Sequence, residues 1–207
     1  YKIKALILQS DKYFMNNKDV RNSIIESATV FFSKFGFQKT TMDEIAKNLH
    51  KAKGVLYYYF KSKEELYSEV LRKELDEVRS ELTKIIDSDL SSLRKMESYF
   101  LMRFKLLNRA THYHETLRAD FFEKYHFVQP VRDDFEKFDR NCLTQILNQG
   151  VKENMISINN IPAAVDLFIM VTKGLEVPLF LQKKYDEYEN TIIELSTVII
   201  NGLQNSK

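Results

Sequence analysis

The stretch from Gly54 to Gly150 contains one proline, Pro130, and no glycine between its ends, and the whole 207-residue chain has only five Gly and three Pro. These are the residues that supply positive φ or pre-set a turn, so tight reversals of the backbone must be few. Apolar residues meanwhile recur at i, i+3/4 and i+7, the period of a helix with one buried stripe. Long periodic runs with few breakers predict an all-α fold. The length suits one or two domains with a real core.

The spacing predicts a first helix over about 18–35, with Ile24, Ile25, Ala28, Phe31, Phe32 and Phe35 as its stripe. Gly36 then reads as an αL stop. In "QKTTMDEIAKNL", Thr41 with Glu44 three residues later forms a capping box that opens a short helix burying Ile45, Ala46 and Leu49. A four-residue turn, His50 to Lys53, leads to a third short helix carrying "GVLYYYF". Ser62 caps a long fourth helix whose stripe is Leu66, Val70, Leu71, Leu75, Val78 and Leu82, with Glu64 and Glu65 suited to its dipole. Further helices are expected at about 90–109, 113–126, 130–153, 162–182 and 186–204, with Pro178 kinking or interrupting the penultimate one. The expected domains are an N-terminal extension (1–17), a small head (18–64) and a helical body (65–207), with Met15 a candidate natural start.

Net charge is only +2, but residues 16–63 hold nine Lys/Arg against four Asp/Glu, and residues 64–207 hold 19 against 24. A basic module on an acidic body points to a polyanion partner for the module alone, although a solvated lysine face gives the same count. The single cysteine, Cys142, rules out an intramolecular disulfide and fits a reducing cytoplasm. Its apolar neighbours at helical spacing predict a buried bystander. No apolar run approaches the length of a membrane span.

Two short helices joined by a tight turn, packed on a preceding helix and ringed with lysine, make a helix-turn-helix whose second member enters the DNA major groove. Within it, Leu56 and Phe60 share a face and turn inward, which leaves Lys53, Gly54, Tyr57 and Tyr58 outward, with Tyr59 divided between core and rim. Amines and phenols are common phosphate partners. Gly54 costs about 1 kcal/mol of helix propensity relative to Ala but lets backbone come close to a phosphate.

Residues 19–71, and within them "IIESATVFFSKFGFQKTTMDEIA" and "KGVLYYYFKSKEEL", resemble the DNA-binding domain of TetR-family transcriptional regulators. The resemblance implies a three-helix head on a larger helical body that dimerises and binds a small molecule. By motif position it implies that Thr41, Tyr57 and Lys63 contact phosphates, and that Lys53 and Val55 face the groove. The turn departs from the family pattern of Gly, an apolar residue and Ser, for here it reads His50, Lys51, Ala52. His50 then has to adopt φ > 0 without glycine's freedom. Ala52 cannot cap the helix, a loss of about 1 kcal/mol, while Lys51 adds attraction for phosphate.

In the body, "THYHETLRADFFEKYHFVQP" combines His112, His114 and His126 with many aromatics. His112 and His114, two residues apart, do not share a helix face, and no Cys or carboxylate stands at metal-site spacing, so no metal is expected. Phe104, Tyr113, Phe121, Phe122, Tyr125 and Phe168 are candidate linings of a pocket for a hydrophobic effector. The last two predicted helices are strongly apolar. Phe168, Val171, Leu175, Ile192, Leu195 and Ile199 are expected at a twofold interface, and the resemblance adds a four-helix bundle shared with the partner. No nucleophile elbow, metal-ligand motif or P-loop occurs, so neither catalytic residues nor a cofactor are expected. The expected function is a dimeric, ligand-responsive regulator on a near-palindromic double-stranded operator, a repressor released by a small effector. The alternative is a helical dimeric small-molecule- or protein-binding module whose altered turn has cost it DNA recognition.

Overall fold

The computed structural model describes residues 2–118 and 125–204, with side chains from residue 17 onward. Nine α-helices lie within them: α1 (Lys2–Lys39), α2 (Met42–Asn48), α3 (Lys53–Tyr59), α4 (Lys63–Ile86), α5 (Ser92–Leu107), α6 (Thr111–Thr116), α7 (Gln129–Lys152), α8 (Ile161–Glu176) and α9 (Tyr185–Leu203). A 3-10 turn (His126–Val128) precedes α7, and a π turn (Val177–Leu181) follows α8. Two compact units divide within α4, one ending at Leu71 and the other beginning at Arg72.

The first unit is built on α1. It already runs from Lys2, so the segment expected to precede the first helix is helical. Gly36 has φ 76° and ψ 167°, a positive-φ kink rather than the αL stop expected, and helix resumes after it to Lys39. Ile24, Ile25, Ala28 and Phe32 of α1 are buried, as are Ile45 of α2, Leu56 of α3 and Leu66 and Val70 of α4. Phe35 departs from its expected place in the stripe: it is 46% exposed and leans on Phe31 with ring centres 5.8 Å apart. The kink turns Phe37 inward instead, where Phe32, Phe37 and Tyr67 meet at 5.0–6.1 Å between centres. Arg21 ties α1 to α4 through Glu69 (2.5 Å) and lies over Phe60.

The second unit packs α5, α7, α8 and α9 around Phe104, Leu107, Phe135, Ile146, Leu147 and Phe168, all buried. Two helix ends are closed by distant side chains. Lys95 Nζ donates to the Ile86 carbonyl at the end of α4 (2.7 Å), and Glu153 accepts from the Ser92 amide at the start of α5 (3.1 Å). Pro178 interrupts the helix as expected, and the chain compensates with a wide turn in which the Gln182 amide donates to the Val177 carbonyl (3.1 Å). Gly150 is required by contact: a Cβ there would lie 2.3 Å from Ile156 Cδ1, whose segment forms an isolated antiparallel bridge to Gln204. Cys142 is buried, and burial pushes its thiol up to about 11.

Candidate nucleic-acid interface and effector cavity

Helix α2 starts on a complete capping box. The Glu44 amide donates to Thr41 Oγ1 (3.3 Å), while Glu44 Oε2 accepts from the Thr41 amide (2.9 Å) and hydroxyl (2.7 Å). Those bonds from Thr41 hold the Glu44 carboxyl below its usual value. Asn48 Nδ2 donates to Ser27 Oγ (3.1 Å), fixing α2 on α1. The altered turn closes with His50 at φ 51° and the Lys51 amide on the Ala46 carbonyl (3.0 Å). Ala52 stands at the N-cap of α3 without a side-chain bond.

Helix α3 divides as its sequence predicts. Leu56, with Phe60 just beyond the helix, is fully buried, whereas Tyr57 (42%) and Tyr58 (71%) are exposed. Tyr59 is half-buried, its ring edge-on to Tyr58 at 5.1 Å. Gly54 is exposed with open space where a Cβ would stand, Val55 and Lys51 are half-buried, and Thr41 is exposed. Lys53 Nζ pairs with Asp43 Oδ1 (3.0 Å) and lies 5.8 Å from the Tyr57 ring centre. The hydrogen bond to Asp43 holds its ammonium above the usual value. Both partners are about half exposed, so a phosphate can compete for this amine.

Lys63 departs from the expectation of an open phosphate contact. Its ammonium donates to the carbonyls of Phe37 (2.8 Å), Thr40 (3.1 Å) and Gln38 (3.5 Å) and lies 4.3 Å from the Phe37 ring centre. An ammonium has three N–H donors, and the carbonyls between the Gly36 kink and Thr40 take all three. Sequence spacing gives no hint of this, because the carbonyls lie more than twenty positions away.

In the body, four of the six aromatics expected around a pocket lie within the described residues. Phe104 and Phe168 are sealed in the core, and Phe121 and Phe122 lie outside the described residues. Tyr125 is half-buried against Phe127, and Tyr113 lines a cavity. That cavity, of about 170 Å³, is lined by Tyr113 and Arg103 together with Arg132, Phe135, Asp139, Ile169 and Lys173. Behind it, Arg103 Nε donates to Asp139 Oδ2 (2.8 Å) and Nη2 to Glu176 Oε1 (3.0 Å), while the Tyr99 hydroxyl donates to Asp139 Oδ1 (2.6 Å). Burial and then Glu176 push the Tyr113 phenol far up, so it stays neutral. His112 Nδ1 faces Glu74 (3.1 Å), and His114 Nε2 donates to the Leu107 carbonyl (2.7 Å) while its ring stacks on Phe180 at 4.9 Å.

The side chains expected at a twofold interface are covered by the chain itself to different degrees. Phe168 and Ile192 are buried within the chain, and Val171, Leu175, Leu195 and Ile199 are half-buried. The large apolar side chains that α8 and α9 leave exposed are Leu167 (61%), Met170 (72%), Val198 (66%) and Ile193.

A boxed helix, a positive-φ turn and an exposed tyrosine-rich helix on a three-helix core define a helix-turn-helix head, the fold of DNA-binding regulators. The family described as "Bacterial regulatory proteins, tetR family" matches residues 24–70. The HTH-type transcriptional regulator YhgD of Bacillus subtilis is 31% identical over 195 residues, covering 89% of this chain and 97% of that protein. The HTH-type transcriptional repressor KstR2 of Mycobacterium tuberculosis is 29% identical over 137 residues, covering 64% of this chain and 67% of that protein. Among solved structures, the FadR regulator of Bacillus subtilis in complex with stearoyl-CoA superposes with a TM-score of 0.67 at 19% identity, covering 88% of this chain and 98% of that one. The chain belongs to the tetR family of bacterial regulatory proteins, and it is a DNA-binding transcriptional regulator rather than an enzyme. No helix among the described residues is long and apolar enough to cross a membrane.

Proposed function

We propose that the protein is a ligand-responsive repressor that binds a near-palindromic double-stranded operator as a homodimer in the cytoplasm and is released by a small-molecule effector. The observation that carries this reading is the exposed face of α3, where Lys53, Gly54, Tyr57 and Tyr58 stand clear of a core sealed by Leu56 and Phe60. Tyr57, Tyr58, Lys51 and the Thr41 cap meet phosphates, and Lys53, with Val55, faces base edges after exchanging Asp43 for DNA. Lys63 acts indirectly, by holding the end of α1. The name of KstR2 as a repressor supports the sign of regulation. The exposed apolar side chains Leu167, Met170, Ile193 and Val198 support the dimer. An effector in the body acts by binding the DNA-competent and DNA-incompetent states unequally.

Selection of binding sites from randomised duplex tests the reading. Recovered sequences should share two inverted half-sites whose centres lie about 34–36 Å apart, or a multiple of that. Recovery of no common sequence by a properly dimeric protein would favour a head that has lost DNA recognition.

A further inference from the structure

Resting on the proposed effector response, we infer that the cavity beside Arg103 takes a small, net-neutral polar molecule, an amino acid or amide whose acceptor oxygen binds Arg103 Nη1, rather than a hydrophobic effector. The first ground is an unpartnered donor. Arg103 is 4% exposed, with Nε and Nη2 committed to Asp139 and Glu176, yet Nη1 has no acceptor among the described residues. Buried guanidinium N–H groups are rarely left without a partner, because the desolvation cost is then uncompensated. Arg103 lines the cavity, and a small shift of its guanidinium would bring the buried Nη1 to an oxygen inside it.

The second ground is the charge of the walls. Arg103, Arg132 and Lys173 are balanced by Asp133, Glu136 and Asp139. Lys173 is paired with Glu136, and Asp133 accepts from Gln129 (2.6 Å). A simple anion would meet three carboxylates and a simple cation three basic groups. A zwitterion or amide offers an acceptor to Arg103 and donors to the acids without bringing net charge.

The third ground is size. At about 170 Å³ the cavity falls below the roughly 300 Å³ at which drug-sized pockets begin. Phe135, Ile169 and the Tyr113 ring give it a short apolar wall among six charged side chains, so a long acyl chain finds no room.

The test uses the full chain without DNA, so that its outcome is independent of whether the head binds an operator. Thermal unfolding and calorimetry are run with each of the common amino acids and their primary amides. Acetate and succinate serve as simple anions, and octanoate and palmitate as apolar acids. The inference predicts saturable stabilisation by at least one amino acid or amide. Stabilisation by the anions or apolar acids alone, or by no probe, overturns it. Arg103→Gln should abolish the response, but it leaves Asp139 and Glu176 without their cation and can unfold the body. The second variant is therefore Ile169→Phe, which fills the cavity and leaves the three charges in place. It should weaken binding at least tenfold, and undiminished binding in that variant overturns the assignment.

Discussion

Lys53 and Tyr57 stand one turn apart on α3, with the Lys53 ammonium 5.8 Å from the centre of the Tyr57 ring and both side chains at the surface. Leu56, the residue before Tyr57, is fully buried. The 100° step between neighbouring residues of a helix is what separates the two roles. The stretch Leu56 to Phe60 thus anchors the helix at its ends and presents phenols from its middle. The Asp43 carboxylate that holds Lys53 sits at the start of the preceding helix, so the amine is oriented before any DNA arrives.

Lys63 should matter more for folding than for docking. Lys63→Met keeps the apolar stem over Phe37 but removes the donors to the carbonyls of Phe37, Gln38 and Thr40. Charge-assisted bonds at a half-exposed site make the loss about 1–2 kcal/mol. Urea unfolding should show that destabilisation, and amide exchange should quicken around residues 37–40. Unchanged exchange with weakened DNA binding would return Lys63 to the phosphates.

Gly150→Ala sets two opposed effects against each other. Helix propensity favours the substitution by about 1 kcal/mol. The added methyl meets Ile156 Cδ1 at 2.3 Å and Cβ at 3.0 Å, and overpacking of this kind costs about 1–3 kcal/mol. The clash should win, with a net loss of stability by urea unfolding. Ile156→Ala in the same chain should give a double variant less destabilised than the sum of the singles.

His114 should make the body sensitive to mild acid. Burial holds its pKa below the usual 6.5, outweighing the Leu107 carbonyl and the acids Glu74 and Glu176, which push the other way. The unfolded chain therefore takes up the proton first as pH falls. Stability declines from just above pH 6.5 down toward the depressed folded value. Glu136, held low chiefly by Lys173, loses its contribution in a separate window, as pH falls below its usual 4.5. His114→Phe should flatten the unfolding midpoint between pH 7.5 and 5.5 and leave the more acidic decline in place. An unchanged slope in the first window would contradict this.

The dimer should depend on exposed residues of α8. Wild type should sediment at twice the 24.5 kDa chain mass. Leu167→Glu with Met170→Glu places charge where apolar side chains are otherwise exposed, and should yield a folded monomer. A wild-type monomer, or a double variant that still dimerises, would remove that face from the interface.

Much of the head could be read from the chain because its determinants are local. The Thr41–Glu44 box, the inward Leu56 and Phe60 and the positive φ of His50 all rest on spacings of a few residues. The register of α8 was not legible, since residues 167–171 are apolar without interruption and a helix apolar all round has no preferred inward face. Lys63 looked like a surface cation because its acceptors come from another helix end. The Arg103, Asp139 and Glu176 cluster joins positions 36 and 73 residues apart. One signal could have exposed it: Arg103 occupies a stripe position four residues after Tyr99 and four before Leu107, where a charge demands a buried partner. Aromatic density points elsewhere, to a set that includes the buried Phe104 and Phe168.

The central claim, that α3 docks by its amines and phenols on the DNA backbone, is tested most directly by the salt dependence of operator affinity. The logarithm of the affinity should fall linearly with the logarithm of salt concentration, Lys51→Ala should reduce that slope by about one, and Tyr57→Phe should weaken all sequences alike without changing it. A flat salt response, or variants that bind like wild type, would contradict the account.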